Sequence, residues 1–290
     1  MKIEEFLLQS GFKTPKESGE YIRTNAIWRN GEGYNVAINK KNGFWKDHRS
    51  GEAGTFARLI QLCGSKVRPE EIDVEATLAK QDRIKYQTYD KSCLERLKRD
   101  YDFYLKRGIS KETLEAFRCG VASTGLLYNR MCFPIFNYCD QIIGFAGRKL
   151  ENDTERPKWM IYGEKNTFLY PTFLNDFYLK AKGEVILVES VGDVLALWDA
   201  GIHNVLCLFG RHISKPLLNY LIKIDPDKII ISTNNDLPGR AAIWKMRKKL
   251  KPYFLDSKIG RMLPPKKDWG DSAKIEIVKK HRRVISKWKK

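Results

Sequence analysis

The sequence predicts an α/β protein: a parallel sheet with flanking helices, preceded by an α+β basic subdomain and a small N-terminal β-rich domain. Three observations carry this expectation. Beyond residue 182 the continuous apolar runs EVILVES, NVLCLFG and KIIIST alternate at short spacing with helix-patterned stretches, the signature of βαβ units. Upstream, RMCFPIF and QIIGFAGRKL flank a polar turn at Asn137 to Asp140, as paired strands do. The first 67 residues hold only short alternating runs. Hydrophobic residues make up 42% of the 290, enough to fill real cores and to exclude bulk disorder.

The elements follow in order. YNVAINKKNGFWKD reads as a hairpin turning at Asn42-Gly43. TFARLIQLCG places Phe56, Leu59, Ile60 and Leu62 at helical spacing, with Gly64 as the stop. Residues 68–92 are polar and charged, a linker. In the region 93–181, SCLERLKRDYDFYLKRG reads as one basic amphipathic helix ending at Gly108. SKETLEAFRCG is a second helix, capped by Ser110 and stopped by the glycine at its end. The region 182–265 carries the alternating strands and helices, with PGRAAIWKMRKKLKPY as the last helix and SKIGRMLP as a fourth strand. Residues 266–290 hold an acidic motif and a basic tail.

The net charge is +18, from 53 Lys and Arg against 35 Asp and Glu, interleaved with aromatics. Such an excess favours a polyanionic partner, nucleic acid first. There is no run of 18 apolar residues, so no membrane-spanning helix is expected. MKIEEFLLQSGF is too short and acidic for a signal peptide. The six cysteines are scattered without a Cys-x-x-Cys pair, which suggests free thiols in a reducing cytoplasm.

In a parallel sheet the ligand site lies outside the carboxyl ends of the strands. Acids collect there. Glu189 ends the first strand and Asp193 follows four residues on; the corner Asn234-Asn235-Asp236 ends the third; Asp268 and Asp271 follow the fourth in PPKKDWGD. Carboxylates gathered at one edge repel unless a cation joins them, and hard oxygen ligands select Mg2+ or Mn2+. Each acid also has an ordinary reading: Asp at a strand-to-helix corner commonly caps the helix, with Pro238 in its first turn.

ILVESVGDVLAL, IIISTNNDLPGRAA and LPPKKDWGD together resemble the Toprim domain of bacterial and phage primases, topoisomerases and some nucleases. The resemblance implies that Glu189 is the glutamate after the first strand and Asp193 the acid that follows it in primases. Asp236 then matches the second Asp of Asp-x-Asp, and Asp268 and Asp271 the third motif. Asn234 stands in the first position of Asp-x-Asp, a neutral oxygen in place of a charge. FYLKRGISKETLEAFRCGVAS, MCFPIFNYCDQIIGFAGRKL and RPKWMIYGEKNTFLYP resemble the basic subdomain preceding Toprim in bacterial-type primases. The resemblance covers roughly residues 100 to 272. It implies that Arg130, Arg148 and Lys158 line the groove for template and nucleotide phosphates.

The N-terminal segment is similar in shape to the zinc ribbon of primases. FWKDHRSGEAGTF, however, has Asp47 and Ser50 where cysteines stand, so no zinc is expected. Trp45, His48 and Arg49 would still touch template.

The implied activity is that of a DNA primase: metal-dependent nucleotidyl transfer that builds short RNA primers from nucleoside triphosphates on single-stranded DNA. Glu189 and Asp236 would be primary metal ligands. Asp193, Asn234, Asp268 and Asp271 would support them or hold a second metal. No Gly-x-x-x-x-Gly-Lys-Ser/Thr pattern occurs, so a replicative helicase is expected in trans, and the economy of the chain suggests a small phage-like stand-alone primase. Two alternatives stay open: a Toprim nuclease, and a non-catalytic nucleic-acid-binding replication factor.

Overall fold

A computed structural model of the chain describes residues 1–40, 43–67, 87–137, 139–151, 156–181 and 183–288. It divides into two compact units: residues 1–85 with 218–225 and 250–259, and residues 86–217 with 226–249 and 260–290.

The first unit opens with helix α1 (Ile3–Gln9) and continues through strands β1 (Lys16–Ser18), β2 (Tyr21–Thr24), β3 (Val36–Asn39), β4 (Trp45–Asp47) and β5 (Ala53–Gly54) to helix α2 (Phe56–Leu62). The strands form one antiparallel sheet in sequential order. The predicted hairpin is present as β3–β4, pairing Ile38 with Trp45 and Val36 with Asp47. Its turn residue Asn42 lies outside the described residues. Gly64 follows α2 at φ 63°, the stop its sequence predicts, and Thr55 caps the helix through the Arg58 N–H. Phe6, Leu7, Ile22, Ile38, Trp45 and Leu59 make the core. Most of the expected linker, residues 68–86, lies outside the described residues. Tyr89, within its expected span, already pairs with Ile142.

The second unit contains two sheets. The first orders β10 (Trp159–Gly163), β9 (Ile142–Lys149), β8 (Arg130–Phe136), β7 (Gly120–Ala122) and β6 (Leu97–Lys98), with neighbours antiparallel. The β8–β9 pair is the predicted hairpin. The single basic helix expected over 93–108 does not form. A 3-10 turn covers Lys91–Arg96, β6 follows, and only α3 (Asp102–Leu105) is helical. The reason is tertiary: Leu97 and Lys98 pair with Ala122 and Val121, and edge pairing overrides helix propensity. Helix α4 (Lys111–Ala116) is capped by the Ser110 hydroxyl as expected. It ends at Phe117, with Arg118 rather than a glycine at φ 51°, and Gly120 already opens β7.

After α5 (Thr172–Ala181) comes the second sheet, ordered β12 (Val205–Cys207), β11 (Glu184–Val188), β13 (Lys228–Ser232), β14 (Ile259–Arg261). Strand β11 lies parallel to both β12 and β13, the predicted parallel sheet. Val185 to Val188, Val205, Leu206 and Ile229 to Ile231 are buried, which is why these strands are continuously apolar. The flanking helices are α6 (Val191–Asp199), α7 (Lys215–Ile224) and α8 (Leu237–Leu250). The basic tail folds as α9 (Lys274–Trp288), which buries Ile277 in the same core as α6. Among the described residues no helix is long and apolar enough to cross a membrane.

Candidate active site

The carboxyl ends of β11 and β13 and the segment after β14 meet through hydrogen bonds that the acids and asparagines themselves make. Glu189, one residue beyond β11, accepts at Oε1 from the Asn234 backbone N–H at 2.9 Å. Asn235 locks the corner to the third motif. Its N–H donates to the Lys267 carbonyl at 2.7 Å, its Nδ2 reaches the Pro264 carbonyl, and its Oδ1 accepts two bonds from Arg240. Asp236 accepts from the Gly239 N–H at 2.7 Å, so the capping role open at the sequence level is real. Gly239 must be glycine, because a Cβ there would run into the Asn234 carbonyl oxygen.

Asp193 is 2% exposed and spends both oxygens internally. Oδ2 accepts from the Ser190 N–H and hydroxyl, forming a capping box at the start of α6, and Oδ1 accepts from the Trp269 N–H at 2.9 Å. Burial, with the Asp268 charge adding to it, pushes its carboxyl up to about 6 against the donors' pull. Trp269 in turn donates its indole N–H to Ser232 at 2.8 Å, tying the third motif to the end of β13. Asp268 accepts from the Asp271 N–H, and Asp271 is exposed. Glu189 is raised above its ordinary pKa, chiefly by burial and further by the charges of Asp236 and Asp268; the Asn234 N–H and Arg211 oppose this. The three acids therefore share one electrostatic neighbourhood.

Beside this edge lies an open cleft of about 570 Å3, measured out to solvent. Its lining brings Asp193, Asp268 and Asp271 together with Arg107, Arg148 and Lys158 and the rings of Phe103, Tyr104 and Trp159; Glu189, Asn234 and Asp236 are not among the lining residues. The guanidinium of Arg107 lies 3.7 Å from the Phe103 ring centroid and that of Arg148 5.2 Å from it. Burial lowers the Arg148 pKa.

Of the basic residues named from sequence, Arg148 and Lys158 reach this cleft and Arg130 does not. Arg130 is 3% exposed; its Nη1 donates to the Gly147 and Pro157 carbonyls, so it braces the β8–β9 hairpin rather than facing a phosphate. Trp45 is likewise corrected. It is 1% exposed, packs edge-on against Trp28 at 4.9 Å and donates to the Thr55 carbonyl, leaving no ring face for a base. His48 and Arg49 are exposed. Sequence reading missed Arg107, Phe103 and Tyr104 because it assigned them to one basic amphipathic helix; Trp159 lay in a stretch read only for its resemblance.

A hard divalent cation suits part of this arrangement. The donors are carboxylate oxygens, and both the burial that chiefly raises Glu189 and the nearby charges of Asp236 and Asp268 are costs a cation relieves. Yet among the described residues no three His, Cys, Asp or Glu side chains lie close enough together to hold an ion by themselves. In the first unit Asp47, at the position of a zinc-ribbon cysteine, is already engaged by other partners. Asp47, fully buried, accepts two bonds from Arg29, one from the Arg49 N–H and one from Ser50.

Residues 186–273, the sheet that carries these acids at its carboxyl edge, match the family described as Toprim-like. The wider likeness is to DNA primases. The chain is 32% identical over 172 residues to the DNA primase of Borreliella burgdorferi, covering 56% of this chain and 32% of that protein. It is 28% identical over 203 residues to that of Clostridium acetobutylicum, covering 57% and 33%. The chain thus spans about a third of the length of the curated relatives it matches. The fold of the Aquifex aeolicus primase, in its zinc-binding and RNA polymerase domains, superposes with a TM-score of 0.57 over 98% of this chain and 83% of that one, at 21% identity. A DnaG primase catalytic domain bound to single-stranded DNA superposes at 0.58 over 71% of this chain and 80% of that one, at 22% identity.

Proposed function

We propose that this chain is the catalytic part of a DNA primase, joining ribonucleotides into short primers on a single-stranded DNA template. The observation that carries the reading is a cleft beside the Toprim-like edge that gathers Asp268 and Asp271, Arg107, Arg148 and Lys158, and aromatic rings in one lining. Nucleotidyl transfer needs both a positioned polyanion and charge control at the reacting phosphorus. A 3′-hydroxyl attacks the α-phosphate of a nucleoside triphosphate, the bond to the leaving phosphate breaks, and pyrophosphate departs. Arg107, Arg148 and Lys158 hold the triphosphate, and Phe103 or Trp159 offers a ring to its base. Glu189 and Asp236 would hold Mg2+ or Mn2+, with Asp268, Asp271 and the Asn234 side-chain carbonyl as further oxygens. When bound, the cation lowers the cost of ionising the hydroxyl and neutralises the departing phosphates. Asp193 holds Ser190 and Trp269 in place and so positions the third motif.

The same proposal gives the subdivisions their tasks. Residues 1–67 assist template binding through His48 and Arg49, 93–181 supply the cationic wall, 182–265 the Toprim-like acids, and 266–290 the third motif and α9. A helicase acting in trans and a cytoplasmic setting complete the reading.

Primer synthesis from labelled ribonucleotides on mixed single-stranded DNA, with Mg2+ or Mn2+, tests it. Wild type should give short oligomers. Glu189→Gln and Asp236→Asn should give at most about a hundredth as much; the latter keeps the cap acceptor, so loss reports charge rather than a frayed α8. Oligomers from both variants at wild-type yield would sink the metal assignment. The second reading, a binding factor without turnover, draws on Asn234 and on the lack, among the described residues, of three convergent ligands. Tight DNA binding with no oligomers under either metal would select it.

A further inference from the structure

Helix α8 begins at the Asp236 corner and buries one face: Ala242, Ile243, Met246 and Leu250 are each no more than 6% exposed. Its outer face is unusual. Leu237 is 83% exposed and Trp244 67%. Seven residues apart, they share a face about 10 Å long. Arg240 lies between them, bonded to Asn235, with Lys245 and Lys248 beyond. From Leu237 to Leu250 the helix has five Lys and Arg and no Asp or Glu.

We infer that this outer face of α8 is a binding surface for single-stranded nucleic acid, with Trp244 as a stacking platform and Arg240, Lys245 and Lys248 reading phosphate charge. An indole held in water by a helix that buries Ala242, Ile243, Met246 and Leu250 costs solvation without adding to the core. Its cationic surroundings suit a base flanked by phosphates. A protein partner is the poorer fit, since Leu237 and Trp244 form no continuous apolar patch and lysines are depleted from protein interfaces. A second copy is poorer still, because two faces without a single acid repel. The surface leads directly from the corner that holds Asp236, so a strand lying on it ends at the candidate active site. Only that last step rests on the proposed function; strand binding by α8 does not.

The test is fluorescence anisotropy of a labelled oligodeoxythymidylate titrated with the full chain across a salt series. Variants Trp244→Ala, Trp244→Phe and Lys245→Ala/Lys248→Ala would be compared, each checked for an unchanged melting temperature. Trp244→Ala should weaken binding about tenfold, and Trp244→Phe should keep most of the affinity. The double lysine variant should flatten the slope of log K against log salt by about 1.4. Wild-type affinity and slope in all three would overturn the inference. So would an unchanged oligonucleotide affinity combined with loss of self-association in sedimentation, which would make the face a protein interface. If Trp244→Ala loses affinity while wild type makes no primers, the primase reading falls and this surface stands.

Discussion

Asn235 shows how one side chain can define a site without touching its chemistry. With one amide and one backbone N–H it fixes the distance between the β13 corner and the Pro264–Lys267 segment, and so the distance from Asp236 to Asp268. Gly239 sets the same corner from the other side. Gly239→Ala should lower stability by about 1–3 kcal/mol, because neither the Asn234 carbonyl nor the helix start can move independently; a denaturant melt reads it. Asp193 is held near 6, above the usual carboxylate range, so its contribution is complete below about pH 4 and fades as pH rises through 6. Asp193→Asn should flatten the stability profile between those values. Asp47 has the opposite sign. Burial works against its charge, but Arg29, the Arg49 N–H and Ser50 hold it at about 2. Its contribution is present above about pH 4 and is lost as pH falls toward 2. Asp47→Asn should therefore melt earlier at neutral pH, with the gap to wild type closing in acid.

At the scale of elements, the second sheet was readable because its strands are apolar throughout and its helices keep their period. The β8–β9 hairpin was readable from its turn. What escaped was decided by distant partners. The stretch 93–108 has a helical pattern, but β7 takes Leu97 and Lys98 as an edge strand, and with them moves Phe103 and Arg107 into the cleft. Trp45 beside Lys46 looks like a nucleic-acid contact, yet the strand alternates Trp45 in, Lys46 out and Asp47 in, a period of two that was present in the sequence. Of the acids, Glu189, Asp236 and Asp268 were legible as a group from the strand ends. That Asp193 would face inward was not, because it depends on the Trp269 N–H, 76 residues away. Asp199 is a further long-range tie. It accepts from the Ser110 N–H and the Thr113 hydroxyl at the start of α4, and pairs with Lys274 at the start of α9. Asp199→Ala should cost about 1–3 kcal/mol by leaving those donors without acceptors, visible as earlier unfolding by near-ultraviolet circular dichroism.

For the whole molecule, a charge of +18 gives affinity for any polyanion but no chemistry. In the proposed function the cationic residues of the cleft and the acids at the strand ends do different things to the same reaction. Steady-state primer synthesis, run with varied ribonucleotide concentration for wild type, Arg148→Ala and Glu189→Gln, separates them. The account predicts that Arg148→Ala raises KM for nucleoside triphosphate about tenfold or more while retaining turnover. It predicts that Glu189→Gln loses about a hundredfold or more in kcat with little change in KM. Turnover that survives Glu189→Gln, or a triphosphate KM unmoved by Arg148→Ala, would contradict it.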